Sequence, residues 1–373
     1  VRLFPGHASL RVRRLVLALH RWLGLTLGVY VVVIGVTGAV LVFEPELQQI
    51  LLPQFFDVPN DGEILTDPAV VLHSVEAAYP GFRISSVNWP AVGRHSFVSY
   101  PSRAGDTRTV FLDPRTGAVL GELPTRGWLH WVRETHIYLL AGRTGLRASG
   151  IAACALVLLC LTGLVLWWPG VARSLRTLFP QAALVRRRPL FTLHSTLGAW
   201  TVVLLLLWAV TGVYFSFPRE FRQLVALASP LTVRSDLPRS TIPVDAEAPT
   251  PEPAVLIARA LAARPGAKPA RFTVAMGATD PVVVVVAHDV VGDRVTSDEV
   301  SIYLDQYSGA LLDVRPERGR TVGDRLMTWL FPLHTGRYGG LVVRLIWAFF
   351  GLTLPLLVAT GTWMWWRKVA ADR

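Results

Sequence analysis

Residues 19–43 read LHRWLGLTLGVYVVVIGVTGAVLVF, and residues 193–217 read LHSTLGAWTVVLLLLWAVTGVYFSF. From Trp22 onward the first stretch holds no charged side chain, and the second holds none at all. A transmembrane helix needs about 20 apolar residues to cross roughly 30 Å of hydrocarbon, so each stretch is long enough to span a bilayer. Laid end to end, the two also match at Leu19/Leu193, His20/His194, Leu23/Leu197, Gly24/Gly198, Thr37/Thr211, Gly38/Gly212 and Phe43/Phe217.

Two further uncharged runs, 148–168 and 345–366, are equally long and match each other. Thr162-Gly163 corresponds to Thr360-Gly361 and Trp167-Trp168 to Trp365-Trp366; ahead of them Trp131 corresponds to Trp329 and His136 to His334. The chain therefore reads as two copies of helix, outside domain, helix, running in the same direction: a tandem parallel repeat.

Composition agrees. Of 373 residues, 52% are hydrophobic and 17% charged, below the roughly 25% of soluble domains. The net charge of +11 invites a nucleic-acid reading, but its placement excludes one. Arg2, Arg11, Arg13, Arg14 and Arg21 precede the first span. Arg173, Arg176, Arg186, Arg187 and Arg188 separate the second from the third, and Arg367, Lys368 and Arg373 follow the fourth. These flanks account for all of the net positive charge and lie on one side of a four-span topology. The positive-inside rule makes that side cytoplasmic, with both termini inside and two large loops outside. The first run is too long for a signal-peptide core, and Glu44-Pro45-Glu46 follows it, so a retained helix is expected. Cys154 and Cys160 read as apolar filler.

The outside segments repeat as well. Phe111–Leu120 and Tyr303–Leu312 each carry a strand, an Asp-x-x-(Ser/Thr)-Gly turn and a second strand. Amphipathic helices are expected at 69–79 and 254–263, a buried strand at 281–287 and a linker at 229–253. The expected fold is an α-helical membrane protein, a four-transmembrane-helix bundle with two extracytoplasmic α+β domains. It divides into 1–46 (basic flank and first span), 47–135 (first outer domain), 136–168 (second span), 169–188 (basic loop), 189–217 (third span), 218–333 (second outer domain with its linker) and 334–373 (fourth span and tail).

Four of the nine histidines fall at repeated positions: His20 with His194, and His136 with His334. Ionisable side chains beside a span are functional candidates by default. His20, Gly24, Gly28, Val31, Gly35 and Gly38 share one helix stripe, leaving room for a neighbouring helix or a flat macrocycle. His20 and His194 both lie about 35 Å of helix before the Phe that closes their spans, near the cytoplasmic boundary. His136 and His334 each precede their Thr-Gly pair by 26 residues, near the outer boundary. Matched depth on different helices suits bis-imidazole ligation of haem, and two such sites would form an electron path across the bilayer. Interfacial or capping histidines are the alternative. His130 points about 120° away from His136 and could replace it. Arg143, Arg337 and Arg344 flank the outer pair and could meet haem propionates or remain solvated. His7, His73, His95 and His288 read as surface residues. Most of the tryptophans at span ends fit an interfacial belt. No phosphate-binding loop, Ser-x-x-Lys or His-Glu-x-x-His pattern occurs.

His20–Leu25, the Leu-Thr-Gly-Leu-Val-Leu-Trp-Trp-Pro ending of the second span and Leu333–Gly340 together resemble the PepSY-associated transmembrane family, and the Asp-turn hairpins resemble PepSY domains. The resemblance covers nearly the whole chain. It implies an inner-membrane ferric-siderophore reductase carrying two haem b groups, with His20, His194, His136 and His334 as ligands to the haem iron. No side chain is assigned a catalytic role of its own. A ferric siderophore, a cytoplasmic electron donor and membrane lipid are the implied partners, with no nucleic acid. A non-enzymatic PepSY module that binds a peptide, peptidase or partner protein, and haem or metal handling without turnover, remain as alternatives.

Overall fold

The computed structural model describes residues 7–56, 68–90, 97–103, 106–124, 126–168, 178–179, 186–231, 238–243, 250–288, 299–316 and 321–372. Most of the expected basic loop and part of the expected linker lie outside these residues, as do Arg2, Arg173, Arg176, His95, Arg373 and the side chain of His7.

In chain order the elements are helices α1 (His7–Leu41), α2 (Glu44–Leu51), α3 (Pro53–Phe56) and α4 (Pro68–Ala78), then strands β1 (Arg83–Asn88), β2 (Phe97–Arg103), β3 (Asp106–Thr107), β4 (Val110–Leu112) and β5 (Val119–Glu122). Helices α5 (Trp128–Tyr138), α6 (Gly142–Trp167), α7 (Pro189–Ser216), α8 (Pro218–Ala228) and α9 (Pro253–Ala263) follow. The chain ends with β6 (Lys268–Thr273), β7 (Val282–Ala287), β8 (Val300–Leu304), β9 (Leu311–Pro316), α10 (Val322–Thr335) and α11 (Gly340–Ala371). They form two compact units, Val1–Glu44 with Arg126–Leu227 and Trp329–Arg373, and Pro45–Thr125 with Ala228–Thr328.

The first unit is helical. α1, α6, α7 and the segment Arg337–Ala371 are long and apolar enough to cross a membrane. α1 and α7 each pack against both α6 and α11, so they stand at opposite corners of the bundle. Inside, Val31, Leu156, Cys160, Ala209 and Leu354 are buried together. Outside, Val29 (78% exposed), Ile151 (66%), Val203 (73%) and Phe349 (62%) face away from the bundle, one from each long helix. Such a continuous apolar exterior suits lipid and not water. Part of the glycine stripe serves close packing: a Cβ on Gly35 would lie 2.8 Å from the Gly351 carbonyl oxygen of α11. Both cysteines are free.

The second and fourth spans start after the divisions expected at 136 and 334, and before the uncharged runs at 148 and 345. The boundary expected at 135/136 falls inside α5, which ends at Tyr138, and the chain then reverses through Leu139 (φ 47°) and Leu140 (φ 59°) before α6 begins. Left-handed backbone at a non-glycine residue costs on the order of 1–2 kcal/mol and persists only where its surroundings hold it. The equivalent turn between α10 and α11 uses Gly336 (φ 72°) and Gly340 (φ 65°), where that cost is absent. His136 and His334 therefore sit on short helices folded against the spans.

The second unit is a nine-stranded antiparallel sheet in the order β5-β4-β2-β1-β6-β7-β8-β9, with β3 on the edge of β2. The helices expected at 69–79 and 254–263 and the strand expected at 281–287 are α4, α9 and β7. The two expected outer domains, however, share one sheet. β1 pairs with β6 through Ser86↔Thr273, Val87↔Phe272 and Asn88↔Arg271, and the two halves fan out from that seam. Val71 and Val75 of α4, Ile257 and Ala260 of α9, and Val284 and Val286 of β7 lie in one core that crosses the seam. Burying each such valine or isoleucine stabilises by about 1.5–3 kcal/mol. Both Asp turns form as the spacing requires. Asp113 Oδ1 accepts the Arg115 and Thr116 N–H groups, Asp305 Oδ1 accepts those of Tyr307 and Ser308, and Gly117 (φ 70°) and Gly309 (φ 68°) take the left-handed position.

Candidate functional site

The four repeated histidines come together as two pairs. His20 of α1 and His194 of α7 reach across the bundle, with ring centroids 6.4 Å apart and planes 83° to each other. His136 of α5 and His334 of α10 have centroids 6.2 Å apart at 64°. The pairs lie at different levels. Along α1, His20 belongs to one pair and Thr37 touches the other, a separation of about 26 Å at 1.5 Å per residue.

Each histidine is held by the threonine of a Thr-Gly pair on another helix. His20 Nδ1 lies 3.1 Å from Thr162 Oγ1, and His194 Nδ1 3.0 Å from Thr360 Oγ1. His136 Nδ1 lies 3.0 Å from Thr37 Oγ1, and His334 Nδ1 2.6 Å from Thr211 Oγ1. The direction of these bonds follows from the single hydrogen each hydroxyl carries. Thr37 donates to the Val33 carbonyl (2.6 Å), Thr162 to Leu159 (2.9 Å), Thr211 to Leu207 (2.8 Å) and Thr360 to Leu356 (2.7 Å), each within its own helix. The threonine oxygen is left as acceptor, so the histidine Nδ1–H donates to it. Two main-chain carbonyls, which can only accept, agree: Leu159 O is 3.2 Å from His20 Nδ1 and Leu357 O 3.0 Å from His194 Nδ1. With the proton on Nδ1, Nε2 keeps its lone pair and is the ligating nitrogen.

The glycine of the pair makes room for the ring. A Cβ would lie 2.9 Å from His20 Cε1 at Gly163, 3.2 Å from His194 Cε1 at Gly361 and 2.9 Å from His136 Cε1 at Gly38. Gly212 departs from the pattern, since its nearest neighbour is Ala153; on that side Phe215 stands edge-on to His334 at 5.2 Å. The outer arrangement is pinned further by Arg133 of α5, whose guanidinium donates to both Glu44 carboxylate oxygens at 2.7 and 2.8 Å.

The other candidates pack against aromatic rings or face solvent. His130 stacks edge-on to Trp131 at 5.5 Å. The Arg337 guanidinium sits over Phe331 (5.6 Å) and that of Arg344 over Phe43 (5.8 Å), while Arg143 is exposed at the start of α6. His73 faces Glu76 in solvent, and His288 bonds the Pro265 carbonyl. No cluster of three or more His, Cys, Asp or Glu side chains that could hold a metal ion occurs among the described residues. The threonines are what the sequence reading passed over, although the repeated Thr-Gly was its signal. It also passed over Arg21 Nε and Trp167 Nε1, buried donors with no hydrogen-bond partner among the described residues. Arg21 is next to His20 in the chain, and Trp167 is one turn beyond Gly163.

Fold and site together define a multi-pass membrane protein with paired histidines in a four-span bundle and a separate sheet unit. The family model described as PepSY-associated TM region matches residues 17–368, and the chain belongs to this family. No curated protein matches the chain.

Proposed function

We propose that this protein is a haem-dependent inner-membrane reductase that passes electrons from the cytoplasmic side to a periplasmic ferric siderophore, releasing Fe(II) for iron uptake. The observation that carries the reading is the pair of histidine sites with Nε2 left free. Two imidazoles holding one metal at about 2.0 Å per bond could have centroids up to about 6 Å apart. The observed separations are 6.4 and 6.2 Å. Each site offers two nitrogens, which suits an iron that brings four equatorial ligands of its own better than a bare ion seeking four from the protein.

In this reading His20 and His194 hold one haem b, and His136 and His334 the other. Bound haem supplies a one-electron iron couple. The chain's own part is ligation, orientation and exclusion of water. The threonines hold the Nδ1 protons, Arg21 and Trp167 offer buried donors to carboxylates at the inner pair, and Arg143, Arg337 and Arg344 offer charge at the outer one. The basic flanks support an orientation with the inner pair and both termini at the cytoplasmic face. One electron from a cytoplasmic donor converts one Fe(III) to Fe(II), which siderophores hold far more weakly. The sheet domains, read as two PepSY-like halves, are assigned the recognition of the chelate. The clasp of histidine by Thr-Gly, present in both halves of the bundle, supports their origin as a tandem parallel repeat.

The test is an absorption spectrum of the purified protein in detergent. Dithionite should sharpen the Soret band and give a split α band, with two haems per chain by pyridine haemochrome. Addition of a ferric siderophore should then reoxidise the reduced protein. A folded, colourless protein that takes up no haemin would refute the reading.

A further inference from the structure

The four clasps differ in one respect. His20 Nδ1 faces both Thr162 Oγ1 and the Leu159 carbonyl, and His194 Nδ1 both Thr360 Oγ1 and the Leu357 carbonyl. His136 likewise has the Ile34 carbonyl beside Thr37 Oγ1. For His334 the Thr211 hydroxyl, at 2.6 Å, is the one hydrogen-bond acceptor at Nδ1 among the described residues. Thr211 is fully buried, and its hydroxyl has the Leu207 carbonyl (2.8 Å) and the Trp208 carbonyl (3.1 Å) to donate to. The glycine beside it does not touch the ring, which rests on Phe215 instead.

Resting on the haem reading above, we propose that Thr211 is the positioning residue of the outer site: it alone fixes the Nδ1–H tautomer of His334, and so it controls the affinity and potential of the outer haem. Thr162 and Thr360 are each backed by a main-chain carbonyl that no side-chain substitution removes. A ring N–H donated to an acceptor makes the opposite nitrogen a stronger donor to the metal, and loss of such a partner typically lowers metal affinity 10–100-fold. The stronger donor favours the ferric state, so its loss raises the potential. A tenfold loss confined to the ferric form corresponds to an upward shift of about 59 mV for one electron.

The experiment compares T211V, T211S and T162V by spectroelectrochemical titration and haem stoichiometry of the intact protein. Valine keeps the volume of threonine and deletes the acceptor; serine keeps the acceptor. T211V should raise the outer midpoint by about 59 mV or empty the outer site, T211S should restore it, and T162V should move the inner midpoint by less than half as much. Equal shifts in T211V and T162V, no shift in T211V, or no recovery in T211S would overturn the proposal. A second readout needs no haem. In haem-free protein labelled with nitrogen-15 histidine, with His334 assigned by its absence in H334Q, the His334 proton should sit on Nδ1 in wild type and be shared between both nitrogens in T211V. A wild-type proton on Nε2 overturns the proposal, while failure to bind haem with the tautomer as stated overturns the reductase reading and leaves the tautomer assignment standing.

Discussion

The imidazole of His20 lies 6.4 Å, centroid to centroid, from that of His194, although the two stand far apart in the chain on helices at opposite corners of the bundle. Neither reaches the other through its own helix. Each is turned by a threonine on the helix beside it, Thr162 for His20 and Thr360 for His194. On the haem reading proposed above, replacing one histidine of each pair should separate the two centres. His20→Ala and His136→Ala should each halve the haem content, and the double variant should be colourless. Pyridine haemochrome on the three purified proteins checks this, and an unchanged two haems in either single variant contradicts the assignment.

Gly38 and Gly163 should tolerate no side chain. A Cβ at either would come within 2.9 Å of a histidine Cε1, closer than any relaxed contact. Overpacking of this kind costs about 1–3 kcal/mol, which rotation of the ring would relieve. Gly38→Val should thus lose the outer haem and keep the inner one, and Gly163→Val the reverse, both with native helical circular dichroism. Retention of both haems in either variant would show that the cradle is looser than the geometry says.

Gly145 holds the reversal that brings His136 into place. A Cβ there would lie 1.6 Å from the Tyr138 carbonyl oxygen, inside the turn through Leu139 and Leu140. Gly145→Ala should destabilise by more than about 3 kcal/mol and abolish the outer site first. The checks are the thermal midpoint in detergent and the outer-haem signal.

In the sheet unit the two Asp turns should differ in weight. Asp305 is buried and accepts from Tyr307 N (3.0 Å), Ser308 N (2.8 Å), Ser308 Oγ (3.0 Å) and Thr241 N (2.7 Å). Asp113 is half-buried and accepts two N–H groups. Asp305→Ala should cost about 2–4 kcal/mol and Asp113→Ala about 1, read from urea midpoints.

Asp305 also sets a pH dependence. Burial pushes its carboxyl up, but the hydrogen bonds from Ser308, Thr241 and Tyr307 outweigh burial and hold it below the usual aspartate range. A carboxyl depressed in the folded state stabilises above its unfolded value of about 3.9 and ceases to as pH falls through the lower folded value. The advantage of wild type over Asp305→Asn should be full at neutral pH and fade below about pH 4. An advantage that grows in acid would contradict this sign.

The sequence alone determined what depends on local pattern. Uncharged runs of bilayer length can only be helices, because lipid offers the backbone no other partner. The matched positions His20/His194 and His136/His334 marked the ligand candidates, and Asp113, Gly117, Asp305 and Gly309 marked two turns that form as their residue types demand. Tertiary structure decided what depends on which helix lies beside which. It set the Thr-Gly pairs opposite the histidines, fused the two outer domains through β1 and β6, and put His136 and His334 on separate helices behind reversals. A spacing in the chain gives depth along one helix, but the acceptor of a histidine's Nδ1 proton comes from another helix, and that choice is made by packing.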